Sequence, residues 1–137
     1  MNEIKGGCLC GSVRYETARA PLMSAVCHCI HCQKQSGSAF STNVVVPSAG
    51  FEIASSTLGT FNDVGESGAG VKRHFCRKCG SPVYTELDAN PDVVAIKAGT
   101  LDDPSWVQPQ VHMWRCSAKS WGQVSEGAVC FDRNPPA

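Results

Sequence analysis

Three tight clusters contain seven of the nine cysteines in this 137-residue chain. They are Cys8-Leu9-Cys10, Cys27-His28-Cys29-Ile30-His31-Cys32 and Cys76-Arg77-Lys78-Cys79. Thiolates at such short spacing are typical zinc ligands. The third cluster is the strongest signal, because Gly80 follows it and allows the positive φ that a tight metal-binding turn often requires. The spacing therefore predicts zinc as the cofactor of the cysteines as a set.

The number of ligands in each cluster separates two kinds of site. A structural zinc takes four protein ligands, whereas a catalytic zinc has three and keeps one position open. The first and third clusters supply two each, and the middle cluster supplies three. We therefore expect two Zn²⁺ sites, although spacing alone does not say which clusters meet. The structural site would comprise Cys8, Cys10, Cys76 and Cys79, and the catalytic site Cys27, Cys29 and Cys32.

Two other interpretations of the cysteines are weaker. The count is odd and residues 1–11 lack the charged and apolar regions of a secretory signal, which argues against a disulfide framework. A redox Cys-x-x-Cys pair would open a helix within alternating strands and helices, and no such alternation is visible. Unligated buried cysteines do not explain the spacing.

The two isolated cysteines lie in the C-terminal part of the chain. On an extended strand Cys116 would share a face with His112 and Trp114. It is expected there as a small buried residue, with a fourth ligand of the open site as the alternative. Cys130 is expected in the core.

Histidines near the clusters are expected to have structural or surface roles rather than to bind metal. His28 would point away from its cysteine neighbours on an extended backbone. His31 would support Cys32 from behind, and His74 would form a hydrogen bond near the structural site. His112 is the position where a ligand role is hardest to exclude.

A few further residues are candidates to act beside the open site. Lys34 and Gln35 are candidate hydrogen-bond donors by their proximity in sequence. Phe40 and Trp121 are expected in the core, with lining of a substrate pocket as the alternative.

Composition limits the class of protein. Hydrophobic residues make up 42% and charged residues 18%, which excludes a disordered polyampholyte. The 12 basic and 12 acidic residues balance, which argues against a nucleic-acid partner. No apolar run approaches the roughly 20 residues of a membrane span. We expect a cytoplasmic protein, and the sequence is compatible with a homo-oligomer.

Short strands separated by turn residues are the main secondary-structure signal, and they predict an all-β domain. Residues 57–61 are expected to follow 51–53 as a paired strand, and 62–70 to form a loop. One short helix is expected over residues 29–36, ending at Gly37. A single domain is predicted for residues 1–132, with a short tail at 133–137.

Three stretches, residues 6–15, 27–40 and 75–82, resemble the motifs of one known family. His112 and Trp121 also fit its pattern. The resemblance runs through nearly the whole chain, in the family's order and spacing. The family is that of the glutathione-dependent formaldehyde-activating enzyme, and it also includes centromere protein V.

The resemblance implies a β-tent fold of antiparallel sheets with zinc knuckles, and the same division of the cysteines into a structural and a catalytic zinc site. It also implies a carbon–sulfur lyase that joins a small thiol, glutathione, and a small aldehyde, formaldehyde, to S-hydroxymethylglutathione. The cysteine motifs specify a scaffold rather than a substrate. Two alternatives therefore stay open: a related small electrophile as substrate, and a non-catalytic zinc-binding module for a macromolecular partner.

Overall fold

The computed structural model describes residues 3–136. Met1, Asn2 and Ala137, which the predicted domain and tail include, lie outside the described residues. The described part contains strands, one α-helix (α1, Ile30–Ser36) and two short 3-10 helices (Ala98–Thr100 and Arg115–Ser117). The strands are β1 (Ile4–Gly7), β2 (Val13–Thr17), β3 (Met23–Cys27), β4 (Ser41–Pro47), β5 (Glu52–Ser55), β6 (Leu58–Val64), β7 (Gly70–Cys76), β8 (Pro82–Leu87), β9 (Asn90–Lys97), β10 (Val111–Met113) and β11 (Val129–Cys130).

The strands form two sheets, and the all-β prediction is confirmed. The small sheet has the order β1-β2-β5, and the large sheet has the order β11-β10-β3-β4-β9-β8-β7-β6. Strand pairs are antiparallel except at one end of the large sheet, where β10 runs parallel to both β3 and β11.

The core lies between one face of each sheet. Val13 and Tyr15 of β2 alternate with exposed residues and point inward, as the sequence pattern predicts. They pack in one cluster with Val44, Val83 and Ile96 of the large sheet. Burial of each such aliphatic side chain contributes roughly 1.5–3 kcal/mol, so this face holds the two sheets together.

The other face of the large sheet is polar. Because side chains alternate along a strand, the pairing registers place Cys27, Ser41, Lys97, Thr85 and Arg73 on this face, across five neighbouring strands. All but Cys27 are buried. Buried polar residues in a row of strands mark a site rather than a core.

Two strand predictions differ from the structure. Residues 58–61 belong to β6, which pairs with β7 and not with the strand at 52–55, and Thr57 lies just before β6. The predicted loop at 62–70 is shorter, because β6 continues to Val64 and β7 begins at Gly70. A tight turn between them, in which Gly65 N donates to Ala69 O at 2.9 Å, allows the hairpin to extend this far.

The expectations for Cys116 and Cys130 are wrong. β10 ends at Met113, and Trp114 has a left-handed backbone with a φ of 59°. This turn takes the chain into a 3-10 helix, so Cys116 does not share a strand face with His112, and its side chain is exposed. Cys130 lies on the two-residue edge strand β11 and is also exposed.

The C-terminal segment runs back over Trp114. The backbone N–H of Trp114 donates to the Arg133 carbonyl at 3.2 Å, and that of Arg115 to the Phe131 carbonyl at 3.1 Å. The indole Nε1 donates to Asn134 Oδ1 at 2.7 Å, and the Arg133 guanidinium lies 5.1 Å from the ring centre.

The domain limits of 1–132 and 133–137 stay a prediction. No helix in residues 3–136 has the length and hydropathy to cross a membrane.

Candidate metal centres

Four cysteine sulfurs from two distant clusters meet in one place. The Sγ atoms of Cys8, Cys10, Cys76 and Cys79 all lie within 4.8 Å of one another. Cys8 Sγ is 3.6 Å from Cys10 Sγ, which is 3.7 Å from Cys76 Sγ. Tetrahedral zinc with Zn–S bonds near 2.3 Å would separate its sulfurs by roughly 3.8 Å. The donor set therefore fits a tetrahedral metal ion.

The turn after each pair of cysteines directs polar hydrogens at the sulfurs. Cys76 Sγ accepts from the backbone N–H groups of Lys78 at 3.3 Å and Cys79 at 3.5 Å. Gly80, with a φ of 81°, closes this turn through a 2.8 Å bond to the Cys76 carbonyl. In the other turn Val13 N donates to Cys8 Sγ at 3.2 Å. The positive φ expected at Gly80 is confirmed.

Hydroxyl groups add to these bonds. Thr57 Oγ1 lies 3.2 Å from Cys76 Sγ, and its hydrogen bond lowers the pKa of that thiol. Ser81 Oγ lies 3.3 Å from Cys79 Sγ and lowers the pKa of Cys79 to about 5. At Cys76 and Cys79 neutral donors favour the thiolate, whereas burial raises the pKa of Cys8.

The middle cluster brings together three sulfurs. The Sγ atoms of Cys27, Cys29 and Cys32 lie within 4.8 Å of one another. Cys27 ends β3, and Cys29 caps α1, where its Sγ accepts from Cys32 N at 3.2 Å. Gly37 ends the helix with a φ of 67°. The short helix predicted at 29–36 is confirmed, and this helix holds Cys32 against the polar face.

The three thiols share their protons unequally. Hydrogen bonds from Cys27 and Cys29 lower the pKa of the Cys32 thiol. Hydrogen bonds with its two partners, followed by burial, raise the pKa of Cys27. Three sulfurs that compete for protons in a buried space are a donor set that fits a metal cation.

A buried arginine stands directly behind the middle cluster. Arg73 is 4% exposed, and its NH1 lies 3.9 Å from Cys32 Sγ. Its Nε donates to Asp63 Oδ2 at 2.9 Å, and the same oxygen is 2.8 Å from His31 Nδ1. His31 thus supports the cluster through Asp63 and Arg73, as expected of a residue behind the ligands.

A second buried cation lies on the same face. Lys97 is 7% exposed, and its Nζ donates to Ser41 Oγ at 2.7 Å. Ser41 pairs with Cys27 across β3 and β4, so Lys97 is close to the cluster. Burial lowers the pKa of Lys97, while the charge on Cys32 opposes this shift. Lys97 and Arg73 thus place two positive charges beside the cluster.

An aromatic wall and a histidine pair complete the surroundings. Trp114, held by the C-terminal segment, packs against Cys29 and Cys32. His28, just after β3, is fully buried, and its Nε2 is 2.8 Å from His112 Nδ1. Burial lowers the pKa of His28 to about 4, and it also lowers the pKa of His112. Both imidazoles are therefore neutral at pH 7.

Several candidate residues lie elsewhere. Lys34 and Trp121 are exposed, and Trp121 does not belong to the core. Gln35 Oε1, an acceptor, is buried without a hydrogen-bond partner in residues 3–136. His74 contacts Thr60 and Glu86 rather than the four-cysteine cluster. The cations that do reach the middle cluster come from β7 and β9.

Sequence proximity therefore missed Arg73, Lys97 and Trp114. A signal was present for Lys97, because it directly follows the apolar run at residues 93–96. A charged residue in such a place is buried only where a partner compensates its charge. Arg73 has no such signal, since Lys72 and His74 flank it in β7.

A family model matches most of the chain. The model of the glutathione-dependent formaldehyde-activating enzyme matches residues 3–117, which include all seven clustered cysteines. The chain belongs to this family. The fold is also similar to a solved structure of a Rhodobacter sphaeroides protein, with a TM-score of 0.60 and 18% sequence identity. The alignment covers 93% of this chain and 98% of that one.

Proposed function

We propose that this protein is a zinc-dependent enzyme of the carbon–sulfur lyase type that joins glutathione to formaldehyde. The family match supports the reaction, and the three-cysteine cluster is the single observation that carries the catalytic assignment. Cys27, Cys29 and Cys32 would hold a zinc ion with one coordination position left for a substrate. Cys8, Cys10, Cys76 and Cys79 would hold a structural zinc.

The reaction adds a thiol to a carbonyl group. The new bond joins the thiol sulfur to the aldehyde carbon, the carbonyl π bond opens, and the thiol proton ends on the oxygen. Bound zinc would supply positive charge that favours a thiolate over a thiol and polarises a carbonyl. Free thiols have a pKa of about 8.5, so little thiolate is present without such help.

The surrounding side chains support this chemistry in three ways. Arg73 donates to Cys32 and offsets negative charge that three thiolates would otherwise concentrate. Trp114 covers Cys29 and Cys32 and keeps bulk water from them. α1 presents Cys29 and Cys32 from one rigid turn, so the spacing of the sulfurs does not depend on a flexible loop.

Exchange spectroscopy of glutathione with formaldehyde tests this function. Zinc-loaded protein is expected to accelerate formation of S-hydroxymethylglutathione, and Cys29→Ser is expected to remove the acceleration. If wild-type protein gives the rate of the protein-free mixture, formaldehyde is not the substrate. The same assay with other small aldehydes then separates a related electrophile from a non-catalytic zinc-binding module.

A further inference from the structure

A cleft opens beside the middle cluster, at the ends of β4, β8 and β9. Its volume is about 280 Å³, near the lower end of the range for small-molecule sites. Ser41, Thr42 and Ser81 line it, together with Phe40, Pro82 and Lys97. The lining is largely apolar, so the few polar groups there would orient a ligand.

Lys97 is the charged residue of this cleft. Only 7% of its surface is exposed. Among residues 3–136 no carboxylate lies within 4 Å of its Nζ. Its hydrogen-bond partner in the described chain is the neutral Ser41 hydroxyl. An ammonium group has three donors, so two remain for another acceptor. Buried charges are normally paired, and this one lacks a carboxylate partner from the chain.

The two cations of the polar face have different hydrogen bonds. Arg73 donates to Cys32 Sγ and is paired with Asp63. Lys97 donates to no sulfur in the described residues, and it lines the cleft that Arg73 does not line. Both cations act on the charge of Cys32, but Lys97 also lines the cleft and its ammonium has donors that no group of the described chain takes up.

The position of the cleft connects it to the cluster. Ser41 is the cross-strand partner of Cys27, and Lys97 pairs with Asn43, two residues along the same face. A ligand that holds a thiol near Cys27 can therefore extend along the strands toward Lys97. Glutathione has a carboxylate at each end of its peptide, separated from its thiol by several bonds.

We propose that Lys97 binds a carboxylate of the thiol substrate in this cleft. This inference rests on the proposed function, because it takes the substrate to be a carboxylate-bearing thiol. It assigns Lys97 to substrate binding and selects peptide thiols over simple alkyl thiols.

S-methylglutathione tests the carboxylate contact without thiol chemistry, because its sulfur is blocked. Isothermal titration of zinc-loaded wild-type protein is expected to show binding that Lys97→Met weakens by about tenfold or more. Lys34→Met, which removes an exposed lysine outside the cleft lining, is the matched control and leaves the affinity unchanged. Cysteamine, a thiol without a carboxylate, is expected to bind wild-type protein and Lys97→Met equally.

The proposal is overturned if Lys97→Met and wild-type protein bind S-methylglutathione equally, or if wild-type protein does not bind it. If the Lys97→Met protein does not fold, the diethyl ester of S-methylglutathione answers the same question on wild-type protein. The ester is expected to lose the affinity of the free acid, and equal affinities of ester and acid overturn the proposal. Lys97-dependent binding without adduct formation would reject the proposed reaction and leave the carboxylate site standing.

Discussion

The four-cysteine and three-cysteine clusters differ in what surrounds their sulfurs. In the first, the hydrogen-bond donors are backbone N–H groups and hydroxyls, for example from Val13 and Thr57. In the second, Arg73 and Lys97 bring two positive charges to the buried side of the cluster. A helix end and a tryptophan border the second cluster, whereas turns border the first. The cleft reaches both, through Ser41 opposite Cys27 and Ser81 beside Cys79.

The difference is the one expected between a structural and a catalytic metal site. Neutral donors would suffice for four thiolates whose bonds to a metal were complete. Mobile or developing charge needs fixed charges nearby, since a low-dielectric site cannot rely on water. Buried cations that are not themselves ligands, such as Arg73 and Lys97, therefore indicate the cluster where a substrate is expected.

The clusters also differ in what they connect. Cys8 and Cys10 follow β1 of the small sheet, while Cys76 ends β7 of the large sheet. Cys27, Cys29 and Cys32 all lie within one strand-to-helix segment. Loss of the first cluster would therefore separate the sheets, whereas loss of the second would affect one local segment.

The largest expected effect is that of Cys79→Ser. A structural zinc site contributes folding free energy on the order of 10 kcal/mol, comparable to the whole stability of a domain. We expect insoluble or unfolded protein, checked by soluble yield and circular dichroism. A soluble Cys79→Ser protein with the wild-type spectrum would contradict the division of the cysteines into two roles.

The matched change in the other cluster is Cys29→Ser. The serine hydroxyl can still accept the Cys32 N–H, because serine is a good helix N-cap, so α1 should persist. We expect a folded protein with about half the zinc and no adduct formation, as measured by metal analysis, circular dichroism and the exchange assay. Full zinc content would show that Cys29 is not a ligand.

The sequence predicts which cysteines meet more directly when those cysteines are close together in the chain. Cys27, Cys29 and Cys32 are close in sequence, and the short helix that joins them has its own stop signal in Gly37. The pairing of the first and third clusters followed from counting ligands, although 66 residues separate Cys10 and Cys76. Metal ligation constrains the chain strongly enough for spacing to predict both groups.

The side chains that surround the middle cluster could not be predicted from cysteine spacing. Arg73 is 41 residues from Cys32, and Lys97 is 56 residues from Ser41. Their meeting depends on the order of β7, β8, β9 and β4 in the sheet, which no local pattern encodes. The left-handed Trp114 was missed for a related reason, since bonds from residues 131–134 hold it. Long-range pairing decides these contacts.

Replacement of the buried arginine gives the next largest effect. Arg73→Met leaves Asp63 without its close cation in a largely buried position, which should cost about 3 kcal/mol of unfolding free energy. Lys78→Met is the matched control, since Lys78 is an exposed cation beside the four-cysteine cluster and should change stability by about 0.5 kcal/mol or less. Urea unfolding measures both, and equal losses would remove the electrostatic distinction between the clusters.

The smallest effect concerns the histidine pair behind the middle cluster. Burial lowers the folded-state pKa of His112 below its unfolded value of about 6.5. The contribution of neutral His112 to stability is therefore complete above pH 6.5, and it is lost as the pH falls through the lower folded-state pKa. Wild-type protein and His112→Phe should thus differ most in unfolding free energy near pH 7.5, and this gap should narrow on acidification. Urea titrations at pH 7.5, 6.5 and 5.5 measure it. A gap that stays constant or widens would show that protonation of His112 is not linked to folding, and that the histidine pair only fills space behind the three-cysteine cluster.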